Sequence, residues 1–255
     1  MITIKKDQVG SIPVLNLSLE EAANEKLPAV FFIHGFTSAK EHNLHYAYYL
    51  AEKGYRVLMP DTLLHGEREE GLDETRLSVK FWEIVMTTIE ELGMLKIHYT
   101  QSGLIDEERL GLAGTSMGGI VTLGALTNFP WIKTAVSLMG CPSYTALANA
   151  QINGLKKKGY TLPYSNEELN SLMDMLEKYD LSKHPEVLEG KALFFWHGKQ
   201  DTVVPYQPAY DFYETLLEEG QPKLRDLQFM SDDLGGHKVS RDGVLKSVQW
   251  ISENL

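Results

Sequence analysis

The segment Gly114-Thr115-Ser116-Met117-Gly118-Gly119 places a hydroxyl between glycines two residues before and two residues after it. The chemistry open to such a serine is attack on a carbonyl to form an acyl-enzyme. At neutral pH a serine hydroxyl is a weak nucleophile, so that attack needs a base for its proton and a carboxylate to orient the base. Arg109 to Gly114 reads as a strand and Met117 to Thr127 as a helix, so Ser116 falls at an abrupt strand-to-helix turn, the context of a nucleophile elbow. The strained turn lifts the hydroxyl clear of the sheet, and the glycines leave room for strand and helix to approach. The same turn aims the helix N-terminus at the reacting centre, where the amide of Met117 is free to serve a developing oxyanion.

The base is sought among eight histidines. His237 is selected because it follows the last expected strand in Asp232-Asp233-Leu234-Gly235-Gly236-His237, a glycine-containing loop before the terminal helix. Asp201, in the short loop after the strand Lys191 to Trp196, is the acid; Asp232 and Asp233 compete with it but share the loop of the base and read as solvated turn residues. The order Ser116, Asp201, His237 is nucleophile, acid, histidine. A second oxyanion donor is expected from the loop after the early apolar strand, at the main-chain N–H of Phe36 in His34-Gly35-Phe36. His34 reads as a loop-bracing residue before it reads as a second base. His65 and Arg68, in the rim segment Asp61 to Arg68, are candidate pocket residues, with loop bracing as the competing role. No metal site is expected: the histidines at 34, 65, 197 and 237 lie on different loops, and His42 with His45 lacks a third ligand. Phosphate-binding and dinucleotide-binding glycine loops are also missing.

The elements that must position these groups follow from hydropathy patterning. Met1 to Ile4 and Pro13 to Leu19 read as an antiparallel start. Ala29 to Ile33 and Tyr55 to Met59 are uninterrupted apolar runs, as strands buried on both faces would be, and Lys40 to Lys53 supplies the helical crossover between them. Glu74 to Thr100 reads as an amphipathic helix with a break near Gly93. Thr134 to Leu138, Lys191 to Trp196 and Leu224 to Met230 are further strands, with helices at Tyr206 to Glu218 and Val244 to Ile251. This alternation predicts an α/β fold with a mostly parallel, doubly wound sheet. Pro142 to Pro185 interrupts it with two helical patterns, Leu147 to Lys158 and Glu167 to Tyr179, and reads as a lid-like insertion within one domain spanning residues 1–255. As a lid it would lie over the carboxyl ends of the strands, where such sheets bind ligands; the alternative is an insertion that extends the outer helical layer. Tyr144, Leu172 and Met173 are its candidate pocket residues, along with Leu147, Leu155, Tyr160 and Leu176.

Composition narrows the partners. With 35 acidic against 24 basic residues the formal charge is −11, a sign that repels polyphosphate backbones and anionic membranes. The single cysteine, Cys141, excludes an intramolecular disulfide and agrees with a reducing, cytoplasmic setting. The first residues lack the apolar stretch of a signal peptide, and no window is apolar enough to span a bilayer. Oligomeric state is not legible.

With these residues in hand, the chain from about Pro28 to Leu255 resembles the α/β-hydrolase superfamily. Within it, the chain is similar to small bacterial carboxylesterases akin to the catalytic domain of prolyl oligopeptidases and to dienelactone hydrolases. The resemblance rests on His34-Gly35-Phe36, the Asp61 to Arg68 rim, the elbow at Ser116, Gly198 through Pro205, and Gly236-His237. It implies an eight-stranded sheet with helices on both faces, Ser116 after the fifth strand, the insertion after the sixth, Asp201 after the seventh and His237 after the eighth. It also implies a cofactor-free serine carboxylesterase acting on small-molecule esters, and the apolar residues of the insertion point to short and medium acyl chains. Deacetylase, thioesterase and peptidase or amidase action share this machinery. From another class, the alternative is a catalytically silent binding protein of the same fold. Dienelactone hydrolases carry a cysteine where this elbow has Ser116, and oligopeptidases carry a large extra domain.

Overall fold

The structure, a computed structural model, describes residues 1–157, 159, 164–218 and 221–255. A two-residue turn opens the chain: β1 (Ile2–Val9) and β2 (Ile12–Leu19) pair antiparallel with Val9 opposite Ile12. Gly10, at φ +60°, occupies the first central position, which a β-branched residue would occupy only under strain. The remaining strands are β3 (Leu27–Ile33), β4 (Arg56–Pro60), β5 (Ile105–Thr115), β6 (Thr134–Leu138), β7 (Ala192–Gly198) and β8 (Asp226–Asp232). They form one eight-stranded sheet in the order β1-β2-β4-β3-β5-β6-β7-β8. β2 runs antiparallel to β1 and β4, and every pair from β4 to β8 is parallel. The fold is α/β-hydrolase, as expected.

Helices cover both faces. On one side α1 (Leu44–Glu52) and α8 (Arg241–Asn254) bury Tyr46, Leu50, Val248 and Ile251 against Val30, Val57 and Phe194. On the other, α3 (Phe81–Gln101), α4 (Met117–Asn128) and α7 (Tyr206–Leu216) pack on Phe31, Leu112 and Phe195. α4 is buried on every side from Met117 to Leu126, as an all-apolar helix must be.

The expected break near Gly93 is corrected. The helix runs unbroken through Gly93, where a Cβ would meet the Phe129 ring at 3.3 Å; the glycine serves close packing, not helix termination. The break lies instead at Lys80, between α2 (Glu74–Val79) and α3. β1 extends well past Ile4, because the hairpin register continues to the turn, and β5 begins at Ile105, four residues before the apolar run.

Between β6 and β7 lie α5 (Tyr144–Lys157) and α6 (Asn166–Glu177), then two 3-10 turns at Leu181–Lys183 and Pro185–Leu188. Ser165 starts α6 with a reciprocal capping box to Glu168. The buried carboxylate of Asp180 accepts from Thr145 N–H (2.9 Å), Thr145 Oγ1 (2.8 Å) and Ser182 Oγ, tying the two ends of the segment together. Trp82 Nε1 donates to Gln151 Oε1 at 2.9 Å and anchors α5 to α3. The Lys158 end of the first expected helix and Tyr160 lie outside the described residues. Among the described residues no helix is long and apolar enough to cross a membrane.

Candidate active site

β5 delivers Ser116 at its carboxyl end. Ser116 has φ 55° and ψ −115° and caps α4, a conformation costly for a non-glycine residue. Its N–H donates to Leu138 O on β6 at 2.8 Å, which holds the strained turn in place. The flanking glycines are required sterically: a Cβ on Gly114 would lie 2.3 Å from the Gly118 carbonyl carbon, and one on Gly118 would lie 2.0 Å from Ile33 O.

Ser116 Oγ donates to His237 Nε2 at 2.8 Å, and His237 Nδ1 donates to Asp201 Oδ2 at 2.7 Å. The partners set the tautomer: a carboxylate oxygen accepts only, so Nδ1 carries the proton and Nε2 faces the serine as acceptor. Asp201 Oδ1 accepts from Val203 N–H (2.8 Å) and Val204 N–H (3.0 Å). Burial of this carboxyl would raise its pKa, but the hydrogen bonds from His197, His237 and Val203 outweigh burial and hold it well below the usual carboxylate range. The loops carrying acid and base are also joined directly. Gln200 N–H donates to Gly235 O at 2.9 Å, and Lys199 N–H to Asp232 O at 2.8 Å.

The rival acids stay apart from this chain. Asp233 pairs with Lys199 at 2.7 Å, and Asp232 Oδ1 accepts from Leu234 N–H at 3.2 Å. Both behave as rim and turn residues.

The early loop comes close to the elbow. A Cβ on Gly35 would lie 3.5 Å from Ser116 Cβ, which brings the loop that carries Phe36 beside the nucleophile, while Met117 follows Ser116 as the first residue of α4. Among the described residues neither amide is engaged in a hydrogen bond. The Phe36 ring packs edge-on against His65 and Phe81, with centroids 5.4 and 5.6 Å away.

The candidate pocket residues on the rim are spent on structure. His34 is buried; its Nδ1 donates to Gly35 O (2.8 Å) and its Nε2 accepts from Thr62 N–H (3.1 Å). Burial lowers its pKa to about 4. His65 Nε2 accepts from Thr37 N–H at 3.0 Å while Nδ1 donates to Leu63 O at 2.8 Å, and burial lowers its pKa as well. Arg68 grips Glu91 with two hydrogen bonds of 2.8 and 2.7 Å and donates to Asp61 O. Tyr144 is corrected: it is fully buried, its hydroxyl donates to Ile120 O at 2.6 Å, and its ring packs on Trp82. Leu172 and Met173 are half-buried against the core beneath α6.

Three features escape the sequence reading. Lys40 is buried and pairs with the buried Asp61, whose carboxylate also accepts from the N–H groups of Lys40 (3.0 Å) and Glu67 (2.9 Å). Gly66, at φ +57°, passes so close to Asp61 that a Cβ there would overlap its carboxylate. His197, at the end of β7, is buried beside Asp201. A polar residue ending an apolar strand is the one signal that marks Asp61 and His197. No group of metal-ligating side chains occurs among the described residues.

Comparison with known proteins shows the family of the chain. Residues 41–255 match the prolyl oligopeptidase family. Over the full length of both chains, the sequence is 49% identical to a Bacillus subtilis (strain 168) protein named "Putative esterase YitV". It is likewise 33% identical to Esterase YjfP of Escherichia coli (strain K12), again over the whole of both chains. Among solved structures, TT1662 from Thermus thermophilus superposes with a TM-score of 0.74 at 19% identity, covering 99% of this chain and 98% of the other.

Proposed function

Because the chain belongs to the prolyl oligopeptidase family, we propose that it is a serine hydrolase cleaving small-molecule carboxylic esters through an acyl-enzyme on Ser116. One observation carries the proposal: an unbroken hydrogen-bonded path from Ser116 Oγ through His237 to Asp201, on a strained elbow. The esterase names of the two full-length relatives support the ester as the scissile bond. So does the size of the chain, which matches those relatives from end to end.

In the first step Ser116 Oγ attacks the ester carbonyl carbon while its proton passes to His237 Nε2. The carbonyl oxygen gains charge between the Phe36 and Met117 amides, and the tetrahedral adduct collapses as His237 returns the proton to the leaving alcohol. Water then attacks the acyl carbon with His237 again as base, which frees Ser116 and the carboxylic acid. Asp201 holds the imidazole in its Nδ1–H tautomer throughout. The α5–α6 segment walls the acyl side of the cleft. The Phe36 ring, packed edge-on against His65 and Phe81 on the loop beside the nucleophile, limits the room for an acyl chain, and short and medium chains are favoured over long ones.

A series of nitrophenyl esters with acyl chains of increasing length, run beside matched thioesters and amides, tests the reading. The expected result is a kcat/KM maximum at short or medium esters. Ser116→Ala should lower kcat by at least about three orders of magnitude with the fold intact. Unchanged activity in that variant overturns the mechanism, and a maximum at the longest chain overturns the substrate class.

A further inference from the structure

Asp201 does not hold its position alone. His197 is 1% exposed and is the last residue but one of β7, four residues before the acid. Its Nε2 lies 2.9 Å from Val204 O and 3.4 Å from Asp201 Oδ2. Both of these oxygens accept only, so Nε2 must carry the proton. The N–H is bonded to Val204 O, and the Asp201 carboxylate lies beside it at 3.4 Å. Val204 in turn sends its own N–H to Asp201 Oδ1 at 3.0 Å. His197 therefore reaches the acid by two routes: directly at Oδ2, the oxygen that also receives His237 Nδ1, and through the peptide that holds Oδ1.

We propose that His197 is a positioning residue for the hydrolytic triad, clamping the turn from Asp201 to Val204 and sharing Asp201 Oδ2 with His237. The proposal rests on the triad assignment above. A buried imidazole in this role does two things. It fixes the carboxylate's plane relative to His237, and it draws part of the Oδ2 charge away from the His237 ring.

The surrounding groups leave this role to His197. Tyr206 stands edge-on to its ring with centroids 5.7 Å apart, and shares its hydroxyl hydrogen bond with Ser231 at 2.7 Å. Lys199 and Asp233 pair with each other on the rim, and Asp232 faces Leu234 N–H. Ser116 is the remaining partner of the His237 ring. Among the described residues no other charged side chain lies within hydrogen-bond distance of the Asp201 carboxylate.

The test compares His197→Phe, which keeps an aromatic ring but no donor, with His197→Gln, whose carboxamide supplies an N–H. Ester kcat/KM is followed against pH, normalised to active sites titrated with a fluorophosphonate. His197→Phe should lose about tenfold or more in kcat/KM. Its acid limb should move to higher pH by about half a unit or more, because Oδ2 then faces the imidazolium undivided. His197→Gln should restore most of both. A limb that stays in place in His197→Phe, or moves equally in both variants, overturns the proposal. If His197→Phe does not fold, the wild-type protein still decides. Imidazole nitrogen NMR should show His197 protonated at Nε2 at pH 7, and an unprotonated Nε2 overturns the proposal. Absence of fluorophosphonate labelling in the wild type defeats the hydrolase reading itself, whereas labelling with an unmoved limb defeats only the role of His197.

Discussion

Four histidines sit at the carboxyl ends of strands or in the loops beyond them, and their fates differ by what each ring nitrogen meets. His34, His65 and His197 have protein partners at the nitrogens that face neighbouring loops; only His237 presents an unprotonated nitrogen to a hydroxyl. His34 makes the consequence measurable. A proton on its Nε2 would point at the Thr62 N–H, and burial already lowers its pKa to about 4. The unfolded chain, with an ordinary histidine pKa near ~6.5, takes up that proton first as pH falls. Stability should therefore decline between about pH 6.5 and 4, by an amount on the order of 3 kcal/mol from this residue. Asp201 works at the other end: its depressed carboxyl contributes stability that is complete above about pH 4 and is lost only as pH falls through its lower folded value. Urea midpoints at pH 7.5 and 4.5 check the histidine effect, which should shrink in His34→Gln; an equal drop in both proteins contradicts it. Ser116, Asp201 and His237 were legible because glycine spacing and chain order constrain them locally. Lys40 and His197 were not, since a polar side chain is buried only by partners that other strands bring.

At the scale of elements, apolar runs located every strand, but segment ends depended on contacts that periodicity does not carry. Gly93 illustrates this: a helix-weakening residue in sequence is, in space, the point where α3 admits the Phe129 ring. The insertion after β6 was legible from its length and its two helical patterns. Its anchoring was not, because Asp180, Thr145 and Trp82 are far apart in the chain. Asp180 is the residue that makes α5 and α6 one unit, accepting from both ends of the segment. Asp180→Ala leaves the Thr145 amide and two hydroxyls without that acceptor. It should cost about 2 kcal/mol or more in stability. On the proposal that this segment walls the acyl side of the cleft, ester KM should rise, while the fluorophosphonate labelling rate of Ser116 should change little. Thermal melts and steady-state kinetics check both parts, and an unchanged melting temperature would show that the tie holds nothing.

The whole molecule is organised by the sheet. Alternation of strand and helix was enough to predict a doubly wound α/β fold with an antiparallel start. The placement of β2 against β4 rather than β3 was beyond local patterning, because it is a pairing between strands distant in sequence. That placement makes one continuous sheet with a helical layer on each face, and the layers share the same strands: Phe31 and Phe195 face one side while Val30 and Phe194 face the other. Losing either layer exposes the sheet beneath the other, so the two cannot unfold independently. The four tryptophans divide between the faces, Trp82 and Trp131 on the α3 side and Trp196 and Trp250 on the α8 side. Fluorine-labelled tryptophan should therefore give native resonances that all vanish at a single urea midpoint. Trp82, which tethers the insertion through Gln151, should follow the same transition as Trp250 at the opposite face. A separate, earlier midpoint for Trp82 would mean that the α5–α6 segment folds as a unit of its own, independently of the sheet that carries Ser116.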